Sequence, residues 1–179
     1  PAISAMVLVK DAYCSLQSLI ASVESNFEQN IYQDNYTTAT VKNLEDALAD
    51  AKKFTDQDSE KALKDAYDAL KKAVVGMKSM AYTVTLNADP VEGGTLSGEG
   101  AFASDEETTI KAEVAAGYKF VGWYDAEEKM VSENASYTVS VDTVGRGAHV
   151  YTAKFEQVST DDNDDSNNGD NNNNNNNGG

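Results

Sequence analysis

The sequence predicts an α+β, multidomain chain: an N-terminal three-helix bundle, then a small antiparallel β domain, β-grasp-like or sandwich-like, then a disordered Asn/Asp-rich tail. Three observations predict it. Apolar residues recur every three or four positions over the first 80 residues, the period drops to two at Ala81, and hydrophobic residues stop at Val158. The domains are therefore expected at 1–80, 81–157 and 158–179.

In the first helix, Val9, Tyr13, Leu16, Ile20, Val23 and Phe27 alternate steps of four and three, which places one apolar stripe on one face. The stretch "QDNYTTAT" interrupts with turn formers, and Thr37 or Thr38 is placed to cap a second helix whose stripe is Val41, Leu44, Leu48, Ala51 and Phe54. "TDQDSE" breaks the pattern again. Its acids suit the positive end of a helix dipole, and Asp58 or Ser59 is the expected cap of a third helix, striped by Leu63, Ala66, Tyr67, Leu70, Ala73, Val74 and Met77. Three amphipathic helices on short connections bury their stripes against one another as an up-down-up bundle.

Beyond Ala81, Tyr82, Val84 and Leu86 alternate with Thr83, Thr85 and Asn87, and "DPVEGG" supplies a turn. A second alternation sets Thr108, Ile110, Ala112 and Val114 against Thr109, Lys111 and Glu113; "YKFVGWYD", "YTVSV" and "VYTAKFE" follow. Turns too short for crossover helices imply mostly antiparallel pairing. No cysteine pair or evident long-range charge links the helical and β halves, so each is expected to fold as its own unit. The final "STDDNDDSNNGDNNNNNNNGG" has nothing to offset the entropy of ordering and reads as a disordered linker.

Composition excludes several function classes. Lys and Arg total 14 against 30 Asp and Glu, a net charge of −16, which argues against nucleic acid and anionic membrane surfaces as partners. The single cysteine, Cys14, rules out an intrachain disulfide and a four-cysteine zinc site. There is no run of 18 wholly apolar residues and no basic leader, so neither a membrane span nor a signal peptide is expected. Opening on Pro1, the chain reads as a segment of something longer.

Residues with chemical potential are few. His149 is the only histidine, without a second to share a metal, and "DAYCSLQS" gives Cys14 no histidine or cation to make a thiolate. Asp161, Asn163 and Asp165 have the alternate spacing of a calcium loop, yet Ser166 stands where its glycine belongs and Asn172 where its bidentate glutamate belongs. Glu106 with Glu107, and Glu127 with Glu128, are neighbours that need not converge on one substrate. Asn35 and Asn134 open sequons that matter only in a glycosylating host. No catalytic residue, metal site or cofactor is expected.

The one concentrated feature is "GYKFVGWYD", which groups Trp123 with Tyr118, Phe120 and Tyr124. Strict alternation would put Tyr118, Phe120, Gly122 and Tyr124 on one face and Lys119, Val121 and Trp123 on the other. Large aromatics in so small a domain are expected to fill its core, with a partly exposed contact surface as the alternative. The binding candidates under the second reading are Trp123, Tyr124, Tyr137 and Tyr151.

Two stretches resemble known families. "YTTATVKNLEDALADAKKFTDQDSEKALKDAYDALKKAVVGM", residues 36–77, resembles the FIVAR module, a helical unit of bacterial surface proteins, in its Tyr-Thr opening, Ala-Leu and Ala-Lys steps, acidic break and Ala-Val series. "YTVTLNADPVEGGTLSGEGAF", "TTIKAEVAAGYKFVGWYDAEEKMVSENASYTVSV" and "YTAKFE" resemble the divergent internalin B-repeat over nearly all of residues 82–156. The tell is a Gly-Tyr-x-Phe-x-Gly-Trp-Tyr strand, Gly117 to Tyr124, followed by Thr152 to Phe155. It departs from the pattern at Glu127 and Glu128, where a glycine turn is usual, and at "DTVGRGAH", which lengthens the last connection. The resemblances imply a non-catalytic spacer in a secreted or wall-attached surface protein of a Gram-positive bacterium, its partners being adjacent domains of a longer parent chain. The alternative they imply is an adhesion module for cell-wall or host glycans or a host protein.

Overall fold

The computed structural model describes residues 2–158. The tail beyond Val158, and with it Asp161, Asn163 and Asp165, lies outside the described residues.

Helix α1 (Ala2–Glu28) carries its stripe inward as expected: Leu16, Ile20 and Val23 are buried, joined by Ala12. A one-turn helix α2 (Ile31–Asn35) follows where the sequence suggested only turn formers, and it delivers Tyr32 into the core at 5% exposure. One turn is too short to show a helical period, so nothing in the alternation of apolar residues announces it. Helix α3 (Thr38–Ala51) is capped by Thr37, whose hydroxyl accepts from the Thr40 amide, and helix α4 (Glu60–Val75) by Ser59, which accepts from the Ala62 amide. Leu44, Leu63 and Leu70 close the bundle core with no exposed surface. Helix α4 starts beside Leu8 and Asp11 of α1 and runs parallel to it, so the first turns of α1 overhang. Met6, Val7 and Leu8 are exposed there. By length and composition, the Ser4–Glu28 stretch of α1 is apolar enough to cross a membrane even though no unbroken apolar run exists; in this fold its stripe packs against α3 and α4.

The β domain consists of β1 (Tyr82–Asp89), β2 (Gly94–Ser97), β3 (Gly100–Phe102), β4 (Glu107–Val114), β5 (Tyr118–Tyr124), β6 (Met130–Ser132), β7 (Ser136–Ser140) and β8 (Gly147–Gln157). They form a five-stranded sheet in the order β3-β1-β8-β5-β6 and a three-stranded sheet β2-β4-β7. The "DTVG" insertion becomes a single helical turn, α5 (Val141–Val144), between β7 and β8.

One pairing departs from the antiparallel expectation. Strands β1 and β8 run parallel over eight residue pairs, from Tyr82 with Gly147 to Asp89 with Lys154. Short turns forbid parallel pairing only between consecutive strands; here the whole intervening domain serves as the connection.

The two sheets enclose Tyr82, Val84, Ile110, Trp123, Val139, Tyr151, Ala153 and Phe155. Phe155 lies directly under the turn before β2, where a Cβ on Gly93 would come within 2.6 Å of the Phe155 side chain. Only a residue without a side chain fits. The other departure from the family pattern, Glu128, sits at φ 59°, the left-handed position a glycine would adopt without strain.

The halves are stitched together through residues 77–81, by contacts that no local period announces. The Thr37 amide donates to Lys78 O at 2.8 Å, the Met80 amide to Asn35 O at 3.1 Å, and the Ala81 amide to Phe102 O at 2.7 Å. Lys78 Nζ reaches Asp105 Oδ2 and Glu106 Oε1, each at 3.2 Å. The Ala101 amide donates to Thr38 Oγ1 at 2.7 Å.

Gly93→Ala is expected to destabilise the β domain by about 1–3 kcal/mol, the usual range for overpacking, because Phe155 cannot recede without opening the core. Denaturant unfolding of the variant beside the wild type measures this.

Candidate functional site

The aromatic group is built on β5, and its geometry turns on one extra residue. Pairing with β8 runs Phe120 to Phe155 and then Gly122 to Lys154, so Val121 bulges out of the ladder. A bulge shifts the facing of everything after it. Phe120 and Trp123, on opposite faces under strict alternation, therefore both turn inward, their rings 5.8 Å apart and edge to face. Phe155 completes the set at 5.7 Å from Phe120.

Trp123 has no exposed surface, and its indole N–H donates to Ala135 O at 3.3 Å, linking the two sheets. Tyr151 is buried at 4% exposure and meets the half-buried Tyr137 edge to face at 6.2 Å. Burial of Tyr151 pushes its phenol up to about 12, with the neighbouring Tyr137 adding to the effect. Tyr82 is raised in the same direction, chiefly by burial; its hydroxyl donates to Glu106 O at 3.0 Å, with Val139 O at 3.2 Å as the other acceptor in reach. Of the four binding candidates, Tyr124 alone pairs with the outward-facing Thr152, and Lys154 Nζ sits 4.4 Å from its ring centroid. The structure thus brings Trp123, Tyr137 and Tyr151 together inside the domain and leaves Tyr124 apart on the outer sheet face.

The remaining reactive residues stay separate. His149 lies in a shallow groove with Asp125, Glu127 and Tyr151, and its ring nitrogen is 3.2 Å from Gly145 O. Cys14 is exposed. Among the described residues no group of three His, Cys, Asp or Glu is placed to hold a metal ion.

What sequence reasoning missed is Lys78. Its hydrogen bonds to Glu106 and Asp105 hold the ammonium above the usual lysine value. The only sequence signal is a lone lysine in the linker "GMKSMA" and an acidic loop "SDEE" on the other side of the joint.

Residues 82–159 match the family model of the divergent InlB B-repeat domain. The match covers the whole β half, so this B-repeat-like domain is similar to a unit of bacterial surface proteins; it does not extend to the helices. No curated protein and no solved structure matches the chain.

Trp123→Ala is expected to cost about 3–5 kcal/mol, the range for an aromatic lost from a core, and wild-type emission should be blue-shifted and shielded from iodide. Intrinsic fluorescence and chemical denaturation check both. Alkaline stability carries a second signature. Tyr151 is held neutral in the fold, so the stability it contributes is complete below the ordinary tyrosine value near 10 and is lost as pH rises from there through about 12. Tyr151→Phe should flatten the fall in melting temperature across that window.

Proposed function

We infer that this segment is a non-catalytic spacer in a bacterial surface protein, holding the domains on either side of it apart. The observation that carries the reading is the position of its ends. Helix α4 begins beside Leu8 and ends at the joint, so the free end of α1 lies at the pole of the bundle away from the β domain. Strand β8 begins beside Ala81, whose carbonyl accepts from the Gly147 amide, and runs parallel to β1 away from the joint. The described chain therefore enters at the end of the bundle away from the joint and leaves at the end of β8 away from the joint. An antiparallel last strand would have returned it to the joint.

The stitched linker supports the same reading, since a spacer must hold its length. Lys78, Thr38 and the backbone bonds of residues 77–81 join the halves where a free linker would let them fold back. Similarity of residues 82–159 to the B-repeat supports a surface location, and the resemblance of residues 36–77 to the FIVAR module agrees with it. The adhesion alternative gains nothing from the aromatics, because three of the four are turned into the core region and the fourth lies under a lysine.

Spin labels at Leu8→Cys and Glu156→Cys in a Cys14→Ser background test the spacer. Laid end to end, the rise of α4 and the length of β8 set a limit on the order of 60 Å, and a spacer is expected to approach it with a narrow distribution. A broad distribution, or one centred below roughly 40 Å, would sink the reading.

A further inference from the structure

We propose that the segment has a further function, bearing tension along the chain, and that the parallel β1–β8 ladder is the element that bears it. The proposal rests on the spacer reading, which makes the ends the points where load arrives.

Load reaches the β domain at two places: at Tyr82, through the linker from α4, and at Gln157, the end of β8. These lie at opposite ends of two hydrogen-bonded neighbours, because Tyr82 pairs with Gly147 and Asp89 with Lys154. Tension therefore pulls β1 toward the joint and β8 away from it, along their common axis. Bonds of a parallel ladder are evenly spaced and lie across that axis, so sliding strains all of them in the same step. Pulling the same two strands apart from one end would instead break the bonds in succession. Forced unfolding is governed by the barrier to opening, and a barrier shared by a whole ladder is higher than one met bond by bond.

Two further features oppose sliding. Strand β8 is central, held on its other side by β5 from Tyr118 with Gln157 to Tyr124 with Thr152. Its buried residues Tyr151, Ala153 and Phe155 would each have to leave the core, and Phe155 would have to pass beneath Gly93, where no room exists for even one added carbon. The bundle has no such ladder; α1, α3 and α4 meet through side chains. It is the part that yields first, and its yielding leaves the pull on Tyr82 and Gln157 unchanged in direction.

Single-molecule pulling on the full chain tests this by direction. In a Cys14→Ser background, handles at Ser79→Cys and Val158→Cys load the ladder in shear; handles at Ser79→Cys and Arg146→Cys load the same strands from their shared end. All three positions are exposed, and equal melting temperatures establish that the two chains are equally stable. The shear geometry should need a several-fold larger force at the same loading rate. Equal forces, or a larger force in the second geometry, overturn the proposal. The spacer reading fails separately: ends that lie close together would end it whatever the forces, and a long, narrow distance distribution with direction-independent force would end the ladder's role alone.

Discussion

The pairing of the first strand of the β domain with its last is the constraint on which the rest depends. It joins residues 65 positions apart, Tyr82 and Gly147, and so closes the domain around everything between them. The buried side chains on these two strands, Tyr82 and Val84 with Tyr151, Ala153 and Phe155, are five of the nine buried residues of the core. Trp123 and Phe120 pack against that wall, the Trp123 N–H ties it to Ala135 just before β7, and the Tyr82 O–H ties it to Glu106 just before β4. A ladder of this sequence separation is entropically expensive to close, so the buried aromatics must offset the loop entropy as well as fill space.

The joint between bundle and β domain follows from where β1 starts. Because β1 begins only a few residues after α4 ends, the linker has no slack, and its backbone groups find partners at the corner between α2 and α3 on one side and at Phe102 on the other. Thr37 serves twice, capping α3 through its hydroxyl and binding Lys78 O through its amide. The exposed ion pairs of Lys78 add little stability on general grounds, since solvent screens them. Their effect is on orientation: they choose one arrangement of two halves that are already close.

The sequence disclosed those parts of this arrangement that a local period can carry. Helical stripes such as Leu16-Ile20-Val23 and the caps Thr37 and Ser59 are written in the three or four residues around them, and the structure places them where the pattern does. Three features escape a local reading. Tyr32 sits on a helix of one turn, too short to have a period. The bulge at Val121 adds one residue to a strand whose apolar positions look unbroken, so the alternation that assigns faces is wrong from that residue on. The parallel partner of β1 is set by packing across the whole domain, and no property of Gly147–Lys154 distinguishes a parallel neighbour from an antiparallel one. Of the aromatic candidates, the residue types were legible, but their placement hung on that bulge.

Direction is thus the property that composition and periodicity conceal and on which the proposed spacer role rests. An antiparallel β8 would bury the same Tyr151, Ala153 and Phe155 and satisfy the same number of backbone groups, and the two domains would be equally acceptable as cores. They would differ in where the chain leaves. With β8 antiparallel to β1, entry and exit would share one end, adjacent modules would be drawn together, and a pull on the chain would open the strands from that end. With β8 parallel, the exit lies at the end of the β domain away from the joint, and a pull on the chain would load the strands along their length. The helical turn α5 crosses from the three-stranded sheet to the five-stranded one at the joint, where β7 ends with Ser140 beside Glu107 and β8 begins with Gly147 beside Ala81. Because β7 already stops at the joint, β8 sets out from there and can only run away from it, and that sets the direction of the last strand.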